Sequence, residues 1–233
     1  QKAWAYHIAE KFKIKLIFYG ENGEREYGGS TRYTNAPKES HEDWEKQYFK
    51  GSNVDDLVRL GLESGLINKE EAAPPKLQWY KAPPAEIIEK LELEMHWFSY
   101  YVKWTPQENF YYAVKHTGMV LNDEGRTEGT YTKYASLDDK MDGFHFYPSY
   151  MKFGLGRCSR DAQQDIRRHH ITREEGVALV RRYDGEFPNR YFKWMLNYLG
   201  FNEEHFWGIM DFYRSQSNVW KKEDGVWKLK YIV

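Results

Sequence analysis

The chain has 233 residues, 41% of them apolar and 18% aromatic, with 34 basic and 35 acidic residues and a formal net charge of −1. That balance gives no general attraction to nucleic acid or to an anionic membrane, and the single cysteine, Cys158, excludes an intrachain disulfide and a thiolate metal cage. No run approaches the about 18 apolar residues of a membrane span and no signal-peptide pattern is visible, so the expected setting is a reducing cytoplasm.

A chain of this size buries roughly 70–75% of its unfolded surface without staples. Residues 1–13 read as an amphipathic helix, with Trp4, Ile8 and Phe12 on one stripe beside Ala5 and Ala9. Leu16–Tyr19 follows as a short strand. A helix entering a lone parallel strand is half of a βαβ unit, so more of a parallel sheet is expected upstream of Gln1. Residues 20–38 read as loop, and His41–Lys50, carrying Trp44 and Tyr48, as a helix. Asn53 caps a predicted helix over Asp55–Glu63. Four prolines between Ala72 and Pro84 make a stiff surface connection, and Pro84 suits the first turn of a short helix ending at Lys90.

Met95–Val102 is aromatic and β-branched enough to predict a strand. Thr105-Pro106-Gln107-Glu108 forms a capping box with proline at the first helical position, and Gly118 closes that helix. From Leu137 the pattern is helical. Ser159 is expected to cap a helix through His170, and Thr172-Arg173-Glu174-Glu175 is a second capping box opening a helix to Tyr183. Pro188–Leu199 ends at Gly200, and Asn202 caps a helix to Arg214. Val219–Lys222 and Val226–Lys230, around an Asp224-Gly225 turn, predict a terminal hairpin.

Two places are suited to chemistry. The first is the corner Gly20-Glu21-Asn22-Gly23-Glu24, where a strand ends and unloads oxygen-bearing side chains. Ligands of open α/β sheets sit just past the carboxyl ends of strands, and Glu and Asn there can hold Mg²⁺ or orient groups around phosphates. A solvated polar turn accounts for the same residues. The second is the stretch from Lys152 to Arg182. The free N–H groups of a helix starting near Ser159, beside Arg157 and Arg160, suit an anion such as phosphate. An ordinary capped helix with ion pairs one turn apart, Asp161 to Asp165 and Asp165 to His169, fits the same spacing. His169 and His170 point about 100° apart on a helix and cannot share a metal, so no metal site is expected within the chain beyond Mg²⁺ at Glu21. Cys158 has no motif around it.

Four segments, in order, carry a resemblance: YGENGEREYGG at Tyr19–Gly29, KFGLGR at Lys152–Arg157, IRRHHITREEGVALVRRYD at Ile166–Asp184, and WKLK at Trp227–Lys230. Together they resemble the N-acetyl sugar amidotransferases, surface-polysaccharide (lipopolysaccharide, O-antigen) enzymes that turn an acetamido group into an acetamidino group. The resemblance implies an α/β fold: part of a doubly wound PP-loop ATP pyrophosphatase domain over 1–35, an α/β insertion and sheet continuation over 36–135, and a mostly helical C-terminal region with the hairpin over 136–233. It also implies an upstream Ser-Gly-Gly-Lys-Asp-Ser phosphate loop and a Cys-rich, zinc-type segment. Neither is in this sequence, which therefore reads as the C-terminal two-thirds of such a protein.

The implied chemistry uses ATP and Mg²⁺. Transfer of AMP to the amide oxygen releases pyrophosphate and gives an adenylylated imidate; ammonia adds and AMP leaves. The ammonia is implied to come from a glutaminase subunit through a cyclase-like barrel subunit, and the acceptor is an activated sugar such as a sugar nucleotide. Carried over to this chain, Glu21 and Asn22 are the catalytic pair, Gly20, Gly23 and Glu24 face nucleotide or phosphate, and Glu26, Gly28 and Gly29 shape the loop. Arg157, Ser159, Arg160, Asp161 and Arg167 are assigned to a sugar-nucleotide or pyrophosphate anion. The chain departs from the family pattern at Ser159-Arg160, where Thr-Asp is expected, and at His169, where a glycine is expected. Two other readings are carried: a non-catalytic module docking the ammonia-supplying subunits, and a tRNA-thiolating relative, which the near-neutral charge and the single cysteine argue against.

Overall fold

The computed structural model describes residues 2–23, 35–38, 53–73 and 77–231. The chain packs as two compact units, Gln1–Trp104 and Thr105–Val233, each with its own core. The helix expected over 41–50 lies outside the described residues.

In the first unit α1 (Lys2–Phe12) leads into β1 (Leu16–Tyr19). β1 pairs in parallel with β2 (Glu94–Trp97), from Leu16 opposite Glu94 to Tyr19 opposite Trp97. The far edge of β2 is met by Lys38, bridged to His96, and the Trp97 N–H donates to the Pro37 carbonyl at 2.8 Å. The core is Ala3, Tyr6 and Ala9 of α1 with Ile88, Leu93 and Met95. This corrects the expected stripe: Trp4 and Phe12 are 51% and 62% exposed. The alanine-rich face lets the α1 backbone approach the sheet closely, and Trp4 instead rests edge-on against Trp79, ring centres 5.4 Å apart.

The expected strand over Met95–Val102 is also corrected. β2 stops at Trp97, and Phe98–Tyr101 form a single helical turn, α5. An aromatic run of this length satisfies either state, and periodicity cannot separate them. Between the strands lie α2 (Val54–Glu63), α3 (Lys69–Ala72) and α4 (Ala85–Lys90). α2 starts on the predicted Asn53 cap, in a full box with Asp56. Pro84 stands at the N-cap of α4, one position before the expected place.

The second unit opens with α6 (Pro106–Thr117), ended by Gly118 at φ 71°. Its box is not made as expected: the Thr105 hydroxyl donates to the Glu108 carboxylate, and no side chain caps the backbone. Residues 119–141 run without helix or strand. Then come α7 (Asp142–Phe153), α8 (Arg157–Arg167), α9 (Arg173–Tyr183), α10 (Phe192–Leu199) and α11 (Glu203–Gln216). α8 begins at Gly156, earlier than the expected Ser159 cap. α9 begins on the predicted Thr172–Glu175 box. β3 (Trp220–Glu223) and β4 (Val226–Leu229) form the terminal antiparallel hairpin.

α7, α10, α11 and β3 enclose the core: Phe144, Tyr147, Met151, Phe192, Met195, Leu196, Phe206, Met210 and Trp220. The Trp220 indole donates to the Met151 carbonyl at 2.6 Å, tying the hairpin to α7. Met195 is 1% exposed, so Met195→Ala is expected to cost about 2–5 kcal/mol. Thr172→Ala removes only a cap and costs about 1 kcal/mol. Urea midpoints separate the two; equal shifts would contradict this assignment of core and surface.

Candidate functional site

Because β1 and β2 are parallel and in register, their carboxyl ends lie at one edge. Gly20-Glu21-Asn22 follow β1 there, and Phe98-Ser99 follow β2. Glu21 is exposed and Asn22 is 2% exposed. Gly20 and Gly23 have open space where a side chain would stand. Glu24, Glu26, Gly28 and Gly29 lie outside the described residues.

At the same edge the Lys2 ammonium stands 4.5 Å from the centre of the Trp97 ring and 5.9 Å from that of Tyr19. Trp97 and Ser99 are each 5% exposed, and neither the indole N–H nor the serine hydroxyl has a hydrogen-bond partner among the described residues. A buried donor left unpaired costs about 1–3 kcal/mol. Groups of this kind are those that a bound acceptor or a water satisfies. Sequence reasoning placed both in the Met95–Val102 strand and assigned neither a role.

In the second unit the predicted residues of α8 gather, but on one another. Arg157 Nε lies 3.2 and 3.3 Å from the Asp161 carboxylate oxygens, and its Nη1 lies 3.6 Å from Asp142. Its guanidinium stacks over Phe146 at 4.4 Å. Arg160 donates to the Ser149 hydroxyl at 3.2 Å. Asp161 also accepts from the Thr130 hydroxyl at 2.5 Å. Burial pushes the Asp161 carboxyl up, while Arg157 and the Thr130 bond oppose that. Arg167 is exposed at the helix end, apart from this cluster.

The donors at the start of α8 are engaged by the chain itself. The Asp184 carboxylate accepts the Gly156 N–H at 2.9 Å, the Ser159 N–H at 3.2 Å and the Ser159 hydroxyl at 2.7 Å. The anion predicted for this place from spacing is present as a carboxylate following α9. A Cβ at Gly156 would lie 2.5 Å from Asp184 Oδ1, so any larger residue there displaces the carboxylate from its donors.

Residues 119–141 lie against these helices as a strap. Arg126 makes a bidentate pair with Glu186 at 2.6 and 2.7 Å, and the Gly129 N–H donates to Glu186 at 2.9 Å. The Tyr131 hydroxyl donates to Asp165 at 2.7 Å; burial first, then Asp165, raises that phenol's pKa. His170 faces the same carboxylate, its Nδ1 3.5 Å from Asp165. Sequence reasoning missed the strap, Asp184 and Glu186; an aperiodic Thr130-Tyr131-Thr132 run gives no local signal. His169 has φ 62°, the left-handed conformation that glycine adopts most easily. The glycine expected there is thus a backbone preference. Cys158 is fully buried, and burial, then Asp184 and Asp161, push its thiol up to about 12, so it is unreactive at neutral pH.

Hydrogen bonds from Arg126 hold the Glu186 carboxyl below the ordinary glutamate value of 4.5. Its contribution to stability is full above that value and is lost as pH falls through the lowered one. Glu186→Gln is therefore expected to lower the urea midpoint at about pH 7, the gap closing as pH falls through the lowered value. A gap independent of pH would contradict the pairing.

Residues 128–232 match the family described as LPS biosynthesis protein WbpG-like, C-terminal domain. The match runs from within the strap through α7–α11 to the end of the hairpin. No curated protein matches the chain. Among the described residues no helix is long and apolar enough to cross a membrane.

Proposed function

We propose that the chain, whose residues 128–232 match the WbpG-like C-terminal domain of LPS biosynthesis proteins, is part of an ATP-dependent amidotransferase converting the acetamido group of an activated sugar to an acetamidino group. A role in LPS biosynthesis is the coarser statement that the family carries.

The observation that supports the finer reading is the carboxyl edge of the parallel pair. Glu21 and Asn22 stand there with two buried donors that lack partners among the described residues. The donor set suits an acceptor-rich ligand: an indole N–H gives only a hydrogen bond, and a serine hydroxyl supplies another. Glu21 offers carboxylate oxygens to Mg²⁺ or to the reacting amide, and Lys2 adds positive charge at Trp97. ATP supplies the group that makes the amide oxygen able to leave. The residues of this edge bind, orient and offset charge, which is where such sites gain most of their rate. Ammonia comes from a glutaminase and a cyclase-like barrel partner. A docking role for the same chain is favoured by α2, whose Leu57 and Leu60 are 59% and 51% exposed.

The test is the full-length protein with ATP, ammonium and acetamido sugar nucleotides. AMP and pyrophosphate are expected, together with an amidine product. Glu21→Ala should lower kcat by about 100-fold with the unfolding midpoint unchanged, since Glu21 is exposed. Ser99→Ala should leave stability equal or higher, because the hydroxyl it removes has no partner among the described residues, while weakening substrate binding. No AMP with any acetamido sugar would overturn the proposal.

A further inference from the structure

Side chains of the parallel pair alternate between its two faces. Ile17, Tyr19 and Met95 pack toward α1, which leaves Phe18, Glu94 and His96 on the outer face. There a chain of hydrogen bonds joins four residues. Lys38 donates to one oxygen of the Glu94 carboxylate, and the other oxygen lies 2.9 Å from His96 Nε2. His96 Nδ1 meets the hydroxyl of Tyr101, which belongs to the turn α5 that follows β2. Phe18 stands edge-on to both rings, its centre 6.4 Å from that of His96 and 5.7 Å from that of Tyr101.

The charges fix which nitrogen carries the proton. The hydrogen bond from Lys38 first, and that from His96 after it, hold the Glu94 carboxyl below the ordinary glutamate value. An ionised carboxylate only accepts hydrogen bonds. His96 therefore keeps its proton on Nε2, and its Nδ1 is an acceptor facing the Tyr101 hydroxyl. A carboxylate that orients an imidazole, with the imidazole behind a hydroxyl, is a device for drawing a proton through an oxygen. The His96 side chain is 15% exposed, whereas Tyr101 is 51% exposed. The covered member is the base, and the member open to a substrate is the phenol.

We propose that Tyr101 is a catalytic residue of the amidine-forming step, with His96 as the base behind it and Glu94 as the residue that positions the imidazole. The inference rests on the reaction proposed above and adds the group that handles its proton. Ammonia forms a bond to the imidate carbon, and the C=N electron pair moves onto the sugar-bound nitrogen. The added nitrogen gives a proton to the Tyr101 oxygen while the phenol's own proton passes to His96 Nδ1. The C–O bond breaks, its electron pair leaving with AMP, and the sugar-bound nitrogen restores the C=N bond. His96 returns the proton by the same path to that nitrogen, and the product leaves as an amidinium cation. The amide oxygen that attacks ATP carries no proton, so pyrophosphate release does not need the relay. Placement supports the assignment: Tyr101 closes the helical turn that contains Ser99, past the end of β2.

The test uses the full-length protein with ATP, ammonium and the acetamido sugar nucleotide that yields AMP, following pyrophosphate and amidine separately. Tyr101→Phe, which keeps the ring that Phe18 packs against, should leave first-turnover pyrophosphate release unchanged and lower amidine formation at least about 100-fold. His96→Ala should do the same, and added imidazole should restore it while leaving Tyr101→Phe slow. For Glu94 the readout is the His96 tautomer, observed by NMR on isotope-labelled histidine. In Glu94→Gln, Lys38 takes the one remaining oxygen and the amide N–H group faces Nε2, so the His96 proton should move to Nδ1 and amidine formation should fall. Amidine formation unchanged in Tyr101→Phe, or pyrophosphate release falling in step with it, would overturn the inference and leave the reaction standing. An unsubstituted protein that releases no AMP with any acetamido sugar removes the reaction and the role of Tyr101 together.

Discussion

The Asp184 carboxylate, seated on the first turn of α8, is the contact on which the second unit is built. The first N–H groups of a helix have no partner within it and carry partial positive charge. Here a residue just past the end of α9 supplies the missing acceptor, taking the Gly156 and Ser159 N–H groups and the Ser159 hydroxyl. The approach is so close that a side chain at position 156 would push the carboxylate off these donors. α8 and α9 are thereby locked as a pair, and Gly176 of α9 packs where a Cβ would lie 2.6 Å from Ile166 of α8.

Once α8 is held, its inner face is set. Asp161 and Asp165 turn toward the strap and take the hydroxyls of Thr130 and Tyr131, while Arg157 closes over Phe146 and Asp142. Polar groups buried in this way add little net stability when all are paired, and removing one partner is costly because the other charge stays behind. The strap has few apolar anchors of its own, Ala135 and Phe110's neighbour Tyr134 among them, so this polar network is what gives residues 119–141 a defined course.

Local signals in the sequence transferred well to local structure. The Asn53 and Thr172 boxes, the Asn202 cap and the Asp224-Gly225 hairpin stand where their chemistry places them, because each is settled within a few residues. Faces and partners were less legible. The periodicity of α1 pointed to Trp4 and Phe12, but the sheet selected Ala3, Tyr6 and Ala9 for close approach. The spacing around Ser159 identified an anion-accepting helix start; it carried no sign that Asp184, from the far end of α9, would fill it. The orphaned donors on Trp97 and Ser99 depend on burial, which no pattern of residue types encodes.

The strand-edge corner of the first unit holds an exposed acid beside buried donors that lack partners among the described residues, whereas the start of α8 in the second unit is already occupied by the chain's own Asp184. The most direct test is a crystal structure of the full-length protein determined in the presence of pyrophosphate. The account predicts Asp184 still on the Gly156 and Ser159 N–H groups, with no anion at the start of α8. Phosphate on the α8 N-terminus, with Asp184 displaced, would contradict it.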